Sequence, residues 1–267
     1  MQRYDAFILA GGRSAWLQDA CGTQHLCLAV IDGRRFIDYI IAALQGSGCI
    51  RRIVVAASAE ALPQLEGTLP PGVGLCPAAA TLPATAYAAS EQLGADSTPK
   101  LLGVCDDIPL LTPEGVRDFL AQCERYPAGQ LYYPIIPKEA CLQSFPHAQR
   151  TYGAVNEGEF TGGNMMLVDK TVIPWGQIKA NEIFALRKSP LRLANWLGWS
   201  TICQALLHIL TIEAAERRFS KIMGMTSKAI ITAHAEIGMD IDKPADLQLA
   251  KQYLAKYNRH REESGDV

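Results

Sequence analysis

Short apolar runs alternate with amphipathic stretches through the first half of the chain, and this alternation constrains the fold more than any other feature. Runs of strand length occupy residues 6–10, 53–57, 73–76 and 101–105. Stretches with apolar residues at helical spacing occupy residues 36–44, 84–93 and 113–124. Thr112 and Pro113 open the last stretch in the way typical of a helix start. Buried strands separated by helices predict a parallel sheet with helices on both faces.

The second half of the chain is less regular. We predict strands at 131–136, 164–168 and 228–232, a helical block at 181–224, a last helix at 244–257, and polar loops at 145–160. The whole pattern predicts an α/β fold, a Rossmann-like three-layer sandwich with a mostly parallel sheet and a helical elaboration in the second half. We expect one domain over residues 1–257, with the elaboration at 145–224 and a frayed tail at 258–267.

Composition limits the classes of partner. The chain has 267 residues, of which 49% are apolar and 19% charged, the balance of a folded globular protein. The formal net charge is only −2, which argues against a broad nucleic-acid-binding face. No apolar stretch approaches the roughly 20 residues that cross a bilayer, and no signal segment precedes the first strand. The eight cysteines are scattered, which is typical of reduced thiols, so we predict a cytoplasmic protein and leave a homo-oligomer open.

The first candidate loop follows the first strand and reads Leu9-Ala10-Gly11-Gly12-Arg13-Ser14. Paired glycines let a ligand approach the backbone and direct N–H groups at an anion, and the arginine adds donors that suit phosphate. A tight strand-to-helix turn would use the same glycines, so both interpretations stay open. The loop is neither a dinucleotide fingerprint nor a P-loop, because G-x-G-x-x-G and G-K-[ST] are absent.

Two pairs of carboxylates follow other strands. Asp106 and Asp107 end a buried strand, where carboxylates are unfavourable unless a partner such as Mg²⁺ compensates them. Asp240 and Asp242 lie on one side of an extended segment and offer a second pair of oxygen ligands. The alternatives are that one residue of the first pair caps its turn while the other faces water, and that Asp242 caps the last helix. Carboxyl ends of strands are where open α/β sheets bind ligands.

Two further segments are candidates for binding. Thr161-Gly162-Gly163-Asn164 permits close approach of a ligand, although a plain turn before a strand explains the segment equally well. Lys188 belongs to a short basic patch that offers a cation for a phosphate, and a solvated helix start is the alternative. The five histidines do not cluster in sequence, so no histidine metal site is predicted.

Taken in order, these segments resemble the MobA-like nucleotidyltransferases, over about residues 5–255. The motifs that carry the resemblance are the glycine loop at 9–14, Gly33-Arg34 with 36–39, the segment 107–114, the segment 161–164, and the segment 240–246. The resemblance implies a glycosyltransferase-A-type, Rossmann-like fold. It also implies the Mg²⁺-dependent transfer of a nucleotidyl group from a nucleoside triphosphate to a phosphorylated small-molecule acceptor, with release of pyrophosphate.

The resemblance also implies roles for particular residues. The glycine loop and Asp106 would bind the nucleotide, and Arg13 and Asp107 would be catalytic. Asp107 and Asp240 would hold Mg²⁺. The residues that would bind the acceptor are Thr161, Gly162, Gly163 and Asn164, and Lys188 of the basic patch is a further candidate.

The chain departs from the family pattern in three places. Trp16 stands where a second arginine is usual, and segment 24–28 lacks the usual lysine. Segment 78–85 lacks the expected glycine and asparagine of the base-reading stretch. Three hypotheses therefore stay open: an active nucleotidyltransferase, a nucleotide- or sugar-nucleotide-sensing protein without catalysis, and a glycosyltransferase that releases a nucleoside diphosphate.

Overall fold

A computed structural model of the protein describes residues 2–186, 204, 207 and 209–264. Within these ranges the strands are β1 (Tyr4–Ala10), β2 (Val30–Ile31), β3 (Arg34–Arg35), β4 (Ile50–Ala57), β5 (Val73–Pro77), β6 (Lys100–Cys105), β7 (Leu131–Pro137), β8 (Gly153–Val155), β9 (Gly158–Gly162), β10 (Met165–Asp169) and β11 (Ser227–Ile231). The helices are α1 (Leu17–Cys21), α2 (Phe36–Gly46), α3 (Leu62–Leu65), α4 (Leu82–Leu93), α5 (Pro113–Cys123), α6 (Lys138–Ser144), α7 (Ile173–Leu186), α8 (Ile212–Met223) and α9 (Pro244–Ser264). Leu26–Leu28 and Ala235–Gly238 form short 3₁₀ turns.

A mixed, mostly parallel sheet organises the molecule. Its order is β5-β4-β1-β6-β10-β7-β9-β8, with β11 beside β7. Strands β5, β4, β1 and β6 pair in parallel, and β11 is parallel to β7. Strand β10 runs antiparallel to both β6 and β7, and joins the two parallel parts. The predicted α/β fold is confirmed.

Both faces of the sheet are covered, because alternate residues of β1 enter different apolar clusters. Ile8 packs in a cluster with Ile37 of α2 and Phe119 of α5. Phe7 belongs to a second cluster on the other face, with residues of α4 and α7 such as Ala89. All seven residues of β1 are buried, which explains why residues 6–10 are continuously apolar rather than alternating. This arrangement is the predicted three-layer sandwich.

Local signals placed several elements correctly. Thr112 caps α5, since its hydroxyl accepts a hydrogen bond from the Gly115 N–H at 3.0 Å. The short β2–β3 hairpin, which the sequence analysis missed, turns at Asp32 and Gly33 with φ angles of 50° and 76°. This Asp-Gly pair is typical of a two-residue turn with two positive φ angles.

The structure corrects the prediction in the second half. Residues 145–160 are not all loop, because β8 and β9 form an antiparallel hairpin there. The hairpin is rich in glycine and polar residues, so it carries no apolar alternation that would reveal it. The predicted helical block begins earlier, with α7 at Ile173, and its middle lies outside the described residues. The last helix does not end near residue 257 but continues to Ser264.

Two expectations about the whole chain can be compared with the described residues. The seven cysteines in this part of the chain are thiols rather than members of disulfides, as predicted. No helix described here is both long and apolar enough to cross a membrane.

Candidate active site

Four loops meet at one edge of the sheet. Strands β1, β6 and β11 run in the same direction, so their carboxyl ends share this edge. Strand β10 runs the opposite way, which brings Asn164, the residue before its start, to the same place. Backbone hydrogen bonds of 2.9 Å join the loops, from Ile241 N–H to Asp107 O and from Asn164 N–H to Ile237 O. The predicted glycine loop, carboxylates and Gly-Gly-Asn segment therefore lie together at this edge of the sheet.

Three carboxylates converge at the centre of this edge. Asp107, Asp240 and Asp242 each offer an oxygen, and these oxygens lie within 4.8 Å of one another. Burial, followed by the charges of Asp240 and Asp242, raises the pKa of Asp107 to about 7. Oδ1 of Asp107 is buried and has no hydrogen-bond partner within the described residues. A buried oxygen without a partner, beside two more carboxylates, fits a divalent cation that takes oxygen ligands.

Asp242 joins this cluster instead of capping the last helix. The carboxylate at the start of α9 is that of Asp246, whose Oδ2 accepts hydrogen bonds from the N–H groups of Asp242 and Lys243 at 3.2 and 3.1 Å. Burial, and then the charge of Asp240, raises the pKa of Asp242. Asp242 therefore offers a third carboxylate oxygen beside those of Asp107 and Asp240.

Asp106 supports the glycine loop from below and does not face water. It is only 3% exposed, and a Cβ on Gly12 would lie 2.8 Å from its Oδ1 and 2.6 Å from Cδ1 of Leu26. Burial and the neighbouring charge of Asp107 raise its pKa well above the usual range, while the Gly12 and Cys27 amides oppose this rise. Gly12 is therefore required by the protein's own packing. The sequence analysis allowed one carboxylate of the Asp106–Asp107 pair to face water, and the burial of Asp106 shows that it is not that one.

The glycine loop presents fewer groups to a nucleotide than its sequence indicates. The side chains of Leu9 and Ala10 are buried in the core, so these residues have only backbone to offer at the strand end. The N–H of Ser14 already donates to Gln24 O at 2.8 Å. The Arg13 guanidinium is half-exposed and lies 3.3 Å from Oε1 of Glu60. Glu60 therefore engages one of the donors of Arg13 and offsets part of its charge.

His25 lies where the loop passes the end of β4. The backbone of His25 forms an isolated antiparallel bridge with that of Arg13, and Nδ1 of His25 lies 3.1 Å from Oγ of Ser58. Burial, and then the charge of Arg13, lowers the pKa of His25. Both effects favour the neutral imidazole at pH 7, so Arg13 is the charged donor of this part of the site.

Trp16 links the glycine loop to the carboxylate loop. Its Nε1 donates a hydrogen bond to the backbone oxygen of Asp242 at 2.8 Å, across 226 residues of sequence. The ring also packs against a buried apolar cluster that includes Ile241. In this chain the residue at position 16 therefore holds two site loops together.

Replacing Trp16 with phenylalanine should lower the free energy of unfolding by about 1 kcal/mol, the usual net value of one hydrogen bond. The aromatic packing is retained, so the loss reports the link to Asp242. Urea unfolding measures the effect, and Trp175→Phe on α7 is a matched control. Equal losses in the two variants would contradict a specific link at Trp16.

The Gly-Gly-Asn segment is shaped mainly by neighbouring side chains. A Cβ on Gly162 would lie 2.4 Å from the hydroxyl of Tyr133, and one on Gly163 would lie 2.8 Å from both Ile237 and Pro134. These glycines are therefore explained by packing as well as by the approach of a ligand. Thr161 and Asn164 lie at the same edge, whereas Lys188 lies outside the described residues.

Tyr133 and Arg150 complete the site. Burial raises the pKa of Tyr133, the charges of Cys105 and Asp240 add to the effect, and the Tyr133 hydroxyl lies against Gly162. Arg150, from the loop between α6 and β8, forms an ion pair with Asp240. Because side chains alternate along a strand, the sequence predicts that Tyr133 and the buried Tyr132 point to opposite faces of β7. Which of the two faces the site is decided only by the folded sheet. Nothing in the local sequence of Arg150 indicates its partner.

Comparisons with known proteins identify the family and the fold of this chain. The family model described as a MobA-like NTP transferase domain matches residues 6–220. The chain belongs to this family. Comparison with curated proteins gives no match. A structure described as a hypothetical transferase from Thermus thermophilus is 33% identical, with a TM-score of 0.79, and the match covers 92% of this chain and all of that one.

Two more distant structures share the fold of this MobA-like protein. The 4-diphosphocytidyl-2C-methyl-D-erythritol synthase of Anaerococcus prevotii is 12% identical, with a TM-score of 0.59, and the match covers 95% of this chain and 99% of that one. A CMP:2-keto-3-deoxy-manno-octonic acid synthetase complexed with CTP is 14% identical, with a TM-score of 0.57 and coverage of 96% and 100%. At these identities the likeness concerns the fold alone.

Proposed function

We propose that this protein is a nucleotidyltransferase that uses Mg²⁺ to move a nucleotidyl group from a nucleoside triphosphate to a phosphorylated small-molecule acceptor, releasing pyrophosphate. The observation that carries the proposal is the convergence of Asp107, Asp240 and Asp242 beside the glycine loop, with a buried and unpartnered oxygen on Asp107. Family membership supports it. So does the shared fold with a cytidylyl-type synthase and a CTP-bound synthetase.

The proposed reaction needs positioning and neutralisation of charge. An acceptor phosphate oxygen attacks the α-phosphorus and forms a new P–O bond, while the bond to the bridging oxygen breaks and its electron pair leaves with pyrophosphate. No protein nucleophile is required. A divalent cation held by Asp107 and Asp240, with Asp242 as a third ligand, would neutralise the negative charge that gathers on the α-phosphate.

The chain's own residues would bind and orient the two substrates. In the proposal, the backbone of Gly11 and Gly12 and the guanidinium of Arg13 bind the triphosphate. The segment 161–164, together with Lys188, faces the acceptor. Buried Asp106 supports the loop beneath Gly12 and does not contact the nucleotide with its side chain, which modifies the role that the resemblance implied.

The first test is a panel of ATP, GTP, CTP and UTP in a thermal-shift assay, each with and without Mg²⁺. A ligand at 100 times its dissociation constant adds about 2.7 kcal/mol to the folded state, which moves the midpoint visibly. We expect a Mg²⁺-dependent shift with at least one nucleotide. Phosphorylated acceptors are then screened with that nucleotide by pyrophosphate release. The absence of any nucleotide-dependent shift would contradict the proposal.

Replacing Arg13 with glutamine should weaken binding of the selected nucleotide by about 10- to 100-fold, because a hydrogen bond to a charged group contributes about 1.5–3 kcal/mol. Thermal shift as a function of nucleotide concentration measures the change. Arg117→Gln is a matched control, since Arg117 is also half-exposed and paired with a glutamate, but on α5. Equal affinities for the two variants would remove Arg13 from the phosphate site.

A second candidate function is nucleotide or sugar-nucleotide binding without catalysis. The observation that favours it is the weak positive charge around the glycine loop, where Arg13 is engaged by Glu60 and burial lowers the pKa of His25. A nucleotide-dependent thermal shift without pyrophosphate release for any acceptor would favour this function. Steady turnover would exclude it, and release of a nucleoside diphosphate would instead indicate a glycosyltransferase.

A further inference from the structure

Arg150 is an enclosed cation at the centre of the candidate active site. Its side chain is only 12% exposed, and it pairs with Asp240, whose side chain is 17% exposed. Nη1 of Arg150 donates to Oδ1 of Asp240 across 90 residues of sequence. Ion pairs of this enclosure differ from surface pairs, because solvent and salt screen them much less.

The charge of Arg150 acts on the whole carboxylate cluster. It opposes the rise in pKa of Asp107 and of Asp242, which burial and mutual repulsion produce. Three carboxylate oxygens within 4.8 Å repel one another strongly in a partly buried site. A single guanidinium on one of them offsets part of this repulsion. Arg150 therefore serves as the counter-ion of a cluster that is otherwise purely acidic.

A divalent cation and Arg150 require the same carboxylate. The guanidinium engages Oδ1 of Asp240, so a cation bound to the same carboxylate lies beside it, and two positive groups in contact with one carboxylate repel each other. We propose that Arg150 is a displaceable counter-ion of the metal site, which holds Asp240 in the metal-free protein and moves off it when a divalent cation enters. This inference rests on the metal site of the proposed function.

The competition has a consequence for the order of loading. Free Mg²⁺ must displace a tethered cation, so it binds weakly on its own. A released Arg150 faces the cleft and is available to an anionic group of a substrate. Binding of the cation and of the anion then favour each other, and this coupling is reciprocal.

The test is Mn²⁺ binding to the full chain, followed by electron paramagnetic resonance, in wild type, Arg150→Gln, Arg150→Lys and Lys243→Gln. Lys243 is the matched control, because its Nζ donates a hydrogen bond to Oε1 of Gln149, next to Arg150 in sequence. Lys243→Gln therefore removes the same charge from this region, but at a side chain that does not pair with Asp240. We expect Arg150→Gln to bind Mn²⁺ about 10-fold more tightly than wild type, equivalent to about 1.4 kcal/mol. Lys243→Gln should change the affinity by less than about 3-fold, and Arg150→Lys should remain nearer to wild type than Arg150→Gln.

Each other outcome overturns the inference in a distinguishable way. Equal affinities of wild type and Arg150→Gln would leave the metal site intact but remove the competition. Equal gains in Arg150→Gln and Lys243→Gln would show general electrostatics rather than displacement. No Mn²⁺ binding in any variant would overturn both the inference and the proposed metal site.

A second measurement on the wild-type protein does not depend on the folding of a variant. The ¹⁵N signal of the Arg150 side-chain Nε, assigned by its absence in Arg150→Lys, should shift when Mg²⁺ is added to saturation. A signal that stays in place while Mg²⁺ binds would overturn the displacement of Arg150.

Discussion

Replacing Asp107 with asparagine should lower kcat/KM for pyrophosphate release by about 1000-fold or more, because an active-site metal contributes several kcal/mol of charge stabilisation. The same change should abolish the Mg²⁺-dependent part of the nucleotide thermal shift. Asparagine has the shape of aspartate, so packing at the end of β6 is retained. The measurements are pyrophosphate release with the substrates that wild type uses, and the thermal shift with and without Mg²⁺.

The stability of the Asp107→Asn variant separates a functional loss from a folding defect. Burial and neighbouring carboxylates raise the pKa of Asp107, so the ionised side chain is unfavourable in the metal-free protein. The variant should therefore melt at or above the wild-type temperature without metal. Asp19→Asn, on the exposed surface of α1, is the control and should leave turnover within about 2-fold of wild type. Full activity of Asp107→Asn would remove Asp107 from the metal site.

Replacing Asp5 with alanine should lower the free energy of unfolding by about 3 kcal/mol, because it breaks a buried, hydrogen-bonded ion pair. The Asp5 side chain is fully buried on β1, and its oxygens accept from Arg51 at 2.7 Å and Arg52 at 2.9 Å. The Thr98 N–H also donates to it at 3.1 Å. The two arginines are partly exposed and regain water, which keeps the loss at the lower end of the range for buried pairs. Denaturant unfolding at pH 7 measures the change.

The contribution of Asp5 should also depend on pH. Hydrogen bonds from Arg51 and Arg52 outweigh desolvation and hold the pKa of Asp5 below its usual range. A group whose folded pKa is depressed contributes stability above its unfolded pKa of about 3.9 and loses it as pH falls further. The difference between wild type and Asp5→Ala should therefore be constant from pH 7 to about pH 5 and shrink below about pH 4.

Asp96→Ala is the control for this prediction. Asp96 pairs with Arg52 at 3.1 Å, but its side chain is 75% exposed. Exposed ion pairs contribute about 0–1 kcal/mol, so this variant should stay close to wild type at every pH. A loss in Asp96→Ala as large as that in Asp5→Ala would contradict the assignment of the stabilisation to the buried carboxylate.

Elements with a strong local pattern were predictable from the sequence. The central parts of the parallel strands, such as residues 6–10 of β1, are apolar because both faces are buried, and the start of α5 carries its own capping residue. The glycine loop, Asp107 and Asp240 were assigned from motifs at strand ends, and the fold brings all of them to one edge. The β8–β9 hairpin was missed because its stability comes from pairing with β7, which no local alternation of side chains reveals.

The roles of individual site residues were harder to predict. The sequence analysis interpreted Gly162 and Gly163 as positions that let a ligand approach. In the structure, Tyr133 and Ile237 occupy the space that a side chain at these positions would need. Asp106 was predicted to bind the nucleotide, but its side chain is buried beneath Gly12. In each case the motif identified the right segment, while the direction of a side chain depended on neighbours from other strands.

The sequence by itself determined the α/β class, the family and the segments that form the candidate site, because apolar periodicity, glycines and capping residues act over a few neighbouring positions. Only the tertiary structure decided how the charges are paired. Arg150 meets Asp240 across 90 residues and Trp16 meets Asp242 across 226, and Asp242 joins the carboxylate cluster while Asp246 caps α9. Contacts between distant segments depend on strand order and direction, since an antiparallel β10 brings Asn164 to the edge where the parallel strands end.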